Sequence, residues 1–473
     1  MRRRLYTAEN RKWWTLGAVA FGLFMIMLDN TVVNVAAPAI QRDLGVGLSE
    51  LEWIVAGYAL SFAALMLTGG KLADLMGRRR IFVLGIVIFT VSSLFCGMAD
   101  SGNELIGWRI VQGVGAALMN PATLAIIAAT FPPRERGTAI GIWAGVSALA
   151  LAIGPLVGGL ITEHASWNWV FLINVPVGIL GIVASYLLID ESRDMSENQR
   201  LDLTGLVLSG AGLFSLTYAL IEANTYGWTS TRILALFGAA AVLLVGFVVW
   251  ELRTRFPMLD LTLFRNGTFA GANAVVLLVG FAMFGIFFYV SLYMQNILGF
   301  SAVQAGASFL PMTLLIIIGA PIAGRLSDRI GSRWLMTSGM TLLGIQLLYY
   351  STLGTTAGFF NLLPGLLIGG LGMSLTMTPS AAAVIGSVPV DKAGVGSAVM
   401  NSMRQVGGSL GIAALGAILA HGVAGRTTPE AFVDGYSMAL RVGAIVTLTG
   451  AVVAFATVRK VRHEGVVAAA EPA

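Results

Sequence analysis

The chain has 473 residues, 56% of them hydrophobic and 11% charged, with a mean hydropathy of +0.82. Soluble domains carry roughly 25% charged residues, so this composition excludes a soluble globular protein and describes a chain built inside lipid. The net charge of +5 resides in loops and does not point to nucleic acid, and the single cysteine, Cys96, excludes an intrachain disulfide and reads as a packing residue.

Runs of about 20 apolar residues, each able to cross a hydrocarbon core of roughly 30 Å as a helix, recur near 13–37, 51–70, 81–99, 104–128, 138–162, 168–189, 203–222, 231–251, 268–293, 303–323, 335–353, 360–385, 393–420 and 437–458. The expected fold is an all-α integral membrane protein with fourteen spans. The first run follows Arg2, Arg3, Arg4, Arg11 and Lys12 as a signal peptide would, but it is too long for a cleaved core and lacks a small-residue cleavage site, so it is read as a retained span. Of the 29 Lys and Arg, only Arg42, Arg232 and Arg426 fall in the loops opposite the termini. The positive-inside rule therefore places both termini in the cytoplasm.

Within span 1, Leu28-Asp29-Asn30-Thr31-Val32-Val33-Asn34 holds the one acid expected well inside a span. An ionisable group at that depth costs about 2.5–3.5 kcal/mol on insertion scales and needs a reason. Arg109 enters span 4 from the far side to a similar depth, which allows a charge pair with Asp29. Burial favours the neutral form of a carboxyl group and a nearby guanidinium the charged form, so Asp29 is expected to take a proton from outside and release it inside. The competing reading is a structural acid satisfied by Arg109 or by backbone.

The turn after span 2, Gly70-Lys71-Leu72-Ala73-Asp74-Leu75-Met76-Gly77-Arg78-Arg79, returns 254 residues later as Gly324-Arg325-Leu326-Ser327-Asp328-Arg329-Ile330-Gly331-Ser332-Arg333. Gln41-x-x-Leu44-Gly45 and Gln295-x-x-Leu298-Gly299 share that offset, and the Phe131–Gly137 and Val388–Gly394 loops correspond at 257. Spans 1–6 and 9–14 are thus two copies of one unit, giving an N-terminal bundle (1–189), an inserted hairpin of spans 7 and 8 with its linkers (190–267), a C-terminal bundle (268–458) and a tail (459–473). In each turn, an Asp at one helix end bonded to an Arg on the next would latch the cytoplasmic side; topogenic positive charge is the alternative. Met283 stands where the second copy would match Asp29, so coupling belongs to one half.

Span 5 carries Gly141 and Gly145, then Gly154-Pro155-Leu156-Val157-Gly158-Gly159. Small residues at this spacing let helix backbones approach, and the proline permits a bend. Arg404, about eleven residues into span 13, is expected to face a cavity, whereas Arg441 reads as an interface anchor. Asn34, Tyr58, Gln112, Asn120, Asn273, Phe281, Phe284, Tyr289 and Asn401 are the remaining candidates for a substrate cavity, with packing as the alternative for each. The 19 Met and 24 Phe suit an adaptable pocket and equally suit lipid contact.

These motifs, with Arg109-Ile110-Val111-Gln112-Gly113-Val114-Gly115 and Trp167-Asn168-Trp169-Val170-Phe171-Leu172-Ile173-Asn174-Val175-Pro176-Val177-Gly178, resemble the fourteen-span drug:proton antiporter group of the major facilitator superfamily over essentially the full length. The resemblance implies two six-helix bundles around an inserted hairpin and export of drug-like molecules in exchange for protons. It makes Asp29 similar to the group's span 1 acid, Arg109 to its span 4 arginine, and the Gly154–Gly159 run to its antiporter motif. It further implies a multi-pass protein of the bacterial cell membrane, working as a monomer on the proton gradient without a cofactor, metal or nucleic acid. A proton-coupled importer would lack the Gly-Pro ending of span 5. An enzyme would need a catalytic constellation at membrane depth, but His164, His421 and His463 lie in loops or the tail. An ATP-driven pump would need a phosphate-binding Gly-x-x-x-x-Gly-Lys loop, which is absent. A sensor without transport remains compatible with the residues.

Overall fold

The computed structural model describes residues 8–193, 201–388, 393–423 and 428–459. Arg2–Arg4, the Pro389–Lys392 loop, Arg426, the tail from 460 and the side chain of Asp328 lie outside the described set, as does the side chain of Arg134. The described chain is helical throughout: α1 Ala8–Leu44, α2 Leu48–Met76, α3 Arg78–Gly97, α4 Gly102–Thr130, α5 Pro133–His164, α6 Trp169–Leu188 (interrupted at Ile173), α7 Leu203–Tyr226, α8 Thr231–Arg253, α9 Gly267–Ile297, α10 (pieces Ala302–Ser308 and Leu310–Ile330), α11 Ser332–Tyr350, α12 Phe359–Gly386, α13 Ala393–Val423 and α14 Pro429–Thr457. Thirteen of these segments are long and apolar enough to cross a membrane; α11 falls outside that set.

The helices run well past the apolar cores read from sequence because their ends are capped. Ser101 accepts from the Glu104 amide, Ser301 and Gln304 form a reciprocal capping box, and Thr428 accepts from the Ala431 amide. The turns between helices use Gly45, Gly77, Gly227, Gly299 and Gly331, all at positive φ, where a side chain would be strained.

The duplication is visible in the packing. The pairs α1–α5, α2–α4, α3–α4 and α3–α6 recur eight places later as α9–α13, α10–α12, α11–α12 and α11–α14. The two units then meet through α2–α13 and α5–α10, the same contact made twice around a pseudo-two-fold axis. Helix α7 packs on α8 and lies across the α2–α13 seam, while α8 is the most exposed span. The turn at Gly77 stands at the end of the molecule that carries the termini, called here the terminal face; the opposite end is the far face.

Candidate functional site

Asp29 lies midway along α1, and both it and Arg109 of α4 are buried, at 0% and 1% side-chain exposure. The Arg109 Nη1 donates to Asp29 Oδ2 at 2.6 Å and to Gln112 Oε1 at 2.7 Å, and its Nε donates to the Ile54 carbonyl at 3.1 Å. Gln112 Nε2 donates to Asp29 Oδ1 at 3.0 Å and Asn174 Nδ2 to the same oxygen at 3.3 Å. Both amides also donate to Ser93 Oγ, at 3.2 and 3.0 Å, and that hydroxyl donates to the Phe171 carbonyl. The Tyr58 ring lies 4.2 Å from the Arg109 guanidinium carbon, close enough for cation–π attraction. The donors that reach Asp29 come from α4 and α6, arranged as a carboxylate requires, and the ion pair offsets two desolvation costs that neither group could bear alone.

The charge pair read from span depth is therefore a five-helix network of α1, α2, α3, α4 and α6. Gln112 and Tyr58 belong to this network rather than to a separate cavity. Ser93 and Asn174 were not anticipated; Asn174, just after the Ile173 interruption of α6, lies in a polar-aromatic run that marks it only in hindsight.

The Gly-Pro segment of α5 works through close approach. A Cβ at Gly154 would fall 1.8 Å from Thr31 Oγ1, and one at Gly158 would fall 2.8 Å from the Val32 carbonyl, both on α1 beside Asp29. One at Gly159 would meet the Ala302 carbonyl of α10 at 2.4 Å, and reciprocally Gly306 abuts the Pro155 carbonyl. Gly141 and Gly145 have nothing within 4 Å of such a carbon, which corrects the expectation that they pack against a helix: their spacing is right, but their face of α5 meets open space.

At the terminal face, Arg78 Nε donates to Asp74 Oδ1 at 3.0 Å and its Nη1 to the Ala125 carbonyl of α4 at 3.3 Å. The first charged turn thus ties α2, α3 and α4 together. The amides of Arg79 and Arg80 donate to Glu191 and that of Arg78 to the Ser192 carbonyl, while Arg79 Nη1 donates to the Ile189 carbonyl. In the second copy Arg333 lies 4.1 Å from the Phe455 ring, and Ser327 and Ser332 bridge the turn at 2.8 Å. Gly70 and Gly324 play matching parts, facing Pro121 of α4 and Thr378 of α12.

The other cavity candidates separate. Asn401 and Arg404 line a small cavity of about 30 Å³ with Ser380, Met377 and Met400, and Arg404 has no ion-pair partner among the described residues. Asn34, Asn120 and Asn273 are buried with a side-chain oxygen lacking a hydrogen bond. Phe284 instead packs its ring against Gly408, and Gly411 abuts the backbone of Phe281.

Tyr289 departs most from a cavity role. It lies in a π-helical stretch of α9, Ile286–Val290, and its hydroxyl donates to the Ile412 carbonyl at 2.5 Å with Glu52 Oε1 of α2 at 3.2 Å. Glu52 stands at a span end, as the sequence places it, yet is only 2% exposed, a burial that its position did not announce. Helix α2 starts at Leu48, so Glu52 is one turn in and enclosed by the opposite unit; Gly416 makes room for it, since a Cβ there would lie 1.9 Å from Glu52 Oε1. Further bonds join the units near the far face: Gln295 to the Val35 carbonyl, the Val303 amide to Glu163 and Ser409 to the Ala56 carbonyl.

Two helical units related by pseudo-symmetry, with an ion pair enclosed in one of them, define a multi-pass membrane transporter rather than an enzyme. The family model described as Major Facilitator Superfamily matches residues 19–412, and the chain belongs to that family. It is 37% identical over 426 residues to the tetracenomycin C resistance and export protein of Streptomyces glaucescens (90% of this chain, 79% of that one). It is also 37% identical to the puromycin resistance protein pur8 of Streptomyces alboniger (94% and 91%) and to the multidrug resistance protein Stp of Mycobacterium tuberculosis (88% and 77%). Among solved structures, a bacterial homologue of the human lysosomal transporter Spinster superposes with a TM-score of 0.67 at 18% identity, covering 95% of this chain and 98% of that one.

Proposed function

We propose that this transporter exports amphipathic, drug-like small molecules across the bacterial cell membrane in exchange for protons. The resistance and export proteins it resembles support the direction and substrate class. The buried Asp29–Arg109–Gln112–Asn174 network carries the proton reading. A carboxylate held by one cation and two neutral amides can lose its cation by a modest helix shift, and would then be driven to bind a proton. The glycines of α5 tie that event to substrate movement, because Gly154 and Gly158 press on α1 beside Asp29 while Gly159 presses on the opposite unit.

In this reading the chain has fourteen spans, two six-helix bundles (1–189 and 268–458) and an inserted hairpin, with both termini cytoplasmic and the monomer as working unit. The terminal face is cytoplasmic, the Asp74–Arg78 and Asp328–Arg333 turns form its gate, and Asn401 and Arg404 border the substrate path. The energy source is the proton gradient, with no cofactor or metal. The test is transport by the purified protein in proteoliposomes with an imposed pH difference, using a panel of antibiotics and lipophilic dyes. Substrate-dependent proton flux abolished by Asp29→Asn is expected; substrate flux independent of the pH difference would overturn the coupling.

A further inference from the structure

At the far-face ends of α2, α4 and α7 lies a cleft of about 620 Å³, distinct from the Asp29 network and bordered by the inserted hairpin. Its wall is aromatic. Trp53 stands 5.6 Å from Phe214 and 5.7 Å from Tyr218 between ring centroids, and Tyr226 completes the lining. Two carboxylates, Glu50 and Glu222, border the same space; Glu222 accepts from Trp53 Nε1 at 3.3 Å, and neither acid has a cationic partner among the described residues. The rings already hold a cation: the Arg232 guanidinium carbon lies 3.9 Å from the Tyr226 centroid and 5.4 Å from that of Tyr218, and the guanidinium donates to the Tyr218 hydroxyl.

We infer that this cleft is a binding site for an amphiphilic organic cation, formed jointly by α2 and the inserted hairpin. Aromatic faces with an adjacent carboxylate are the chemistry that recognises poorly hydrated cations, and the volume fits one drug-sized molecule. Arg232, outside the cleft wall, acts as an internal competitor for the Tyr218 and Tyr226 rings. Because α7 also bonds to the opposite unit through Asn224 and the Ala417 carbonyl, the occupant sits beside the seam where the units meet. The assignment needs neither proton coupling nor a direction of transport.

The experiment is equilibrium binding of tetraphenylphosphonium to the full chain in nanodiscs of phosphatidylglycerol, without any pH gradient. Glu222→Gln should weaken a saturable component about tenfold. Arg232→Gln should strengthen that component several-fold, a gain that misfolding cannot mimic. Isotherms in which Arg232→Gln binds no tighter than wild type overturn the site, whatever Glu222→Gln does. Repeating the titration with phosphatidylethanolamine in the discs identifies the source of the cation. Competition that lowers probe affinity supports a lipid ammonium headgroup as resident, and unchanged affinity supports a freely dissolved cation.

Discussion

Arg109 Nη1 sits 2.6 Å from Asp29 Oδ2, and the two side chains are almost completely withdrawn from solvent. Removing one member of a buried pair strands the other, at a cost of about 3–5 kcal/mol. Arg109→Ala should therefore reduce folded yield sharply, whereas Asp29→Asn, which keeps an acceptor oxygen but leaves the guanidinium charge unbalanced, should lose a smaller part of that yield and fail to couple. The double variant Asp29→Asn/Arg109→Gln removes both charges and should recover yield without recovering transport. Thermal unfolding in detergent and proton flux in vesicles separate the two effects. Recovery of proton-coupled transport by the double variant would show that the pair serves structure alone.

The first charged turn combines a weak and a strong element. The Asp74–Arg78 pair is partly exposed and bridges the turn between α2 and α3, and a partly exposed ion pair is worth about 0.2–1 kcal/mol. Gly77 has φ of +116°, and a Cβ there would fall 2.7 Å from Glu191, so an alanine adds strain of about 1–3 kcal/mol. Gly77→Ala should thus lower the melting temperature clearly, and Asp74→Asn hardly at all. If Asp74→Asn nevertheless slows transport, the pair acts on the conformational cycle; an equal loss of stability in both variants would contradict the assignment.

Glycine position, more than glycine spacing, decides the role of α5. Gly145→Ala introduces a methyl into open space and should leave transport and stability unchanged, while Gly154→Ala collides with Thr31 and Gly159→Ala with the Ala302 carbonyl. Gly159→Ala should loosen the α5–α10 contact without touching the Asp29 network, and Gly154→Ala should disturb the network directly. Transport assays on the three variants should rank Gly145→Ala above the other two, and a defect in Gly145→Ala as large as theirs would refute the geometry.

What the sequence made legible follows from how rare each signal is in lipid. Asp29 and Arg109 stood out because few charges interrupt the apolar runs, and helix rise put them at a similar depth, which allowed the pairing without specifying it. The charged turns were legible because they repeat, and the recurrence of α1–α5 as α9–α13 gives that repeat a packing counterpart. Ser93 and Asn174 were hidden because small polar side chains are common in packed membrane helices, where spacing does not say which face they occupy. Glu52 was hidden by its place one turn from a helix end, where an acid ordinarily faces water; only the arrival of α9 and α13 from the opposite unit buries it. The same limit misassigned Gly141 and Gly145: a spacing defines a face, and tertiary structure decides what that face meets.

The Glu52–Tyr289 contact yields the sharpest conformational prediction, because it joins the two units across α2, α9 and α13 near the far face. Tyr289→Phe deletes the hydroxyl and leaves Glu52 Oε1 without its tyrosine partner, and an unsatisfied buried group costs about 1–3 kcal/mol. That penalty falls only on the arrangement in which the far face is closed, since separation of the units would expose the Glu52 carboxyl to water. The population should shift toward the far-open form by roughly 5- to 150-fold at that energy. Spin labels on introduced cysteines at Asn103 and Asp434, near the far-face ends of α4 and α14, read the opening as a longer distance. The single native Cys96 is buried and leaves the labelling pattern clean. Glu52→Gln, which keeps the size and an oxygen acceptor but removes the ionisable group, should retain the closed distance. An unchanged distance distribution in Tyr289→Phe would show that the remaining contacts between the units, the α5–α10 glycines and the Gln295–Val35 bond among them, hold the far face shut without it.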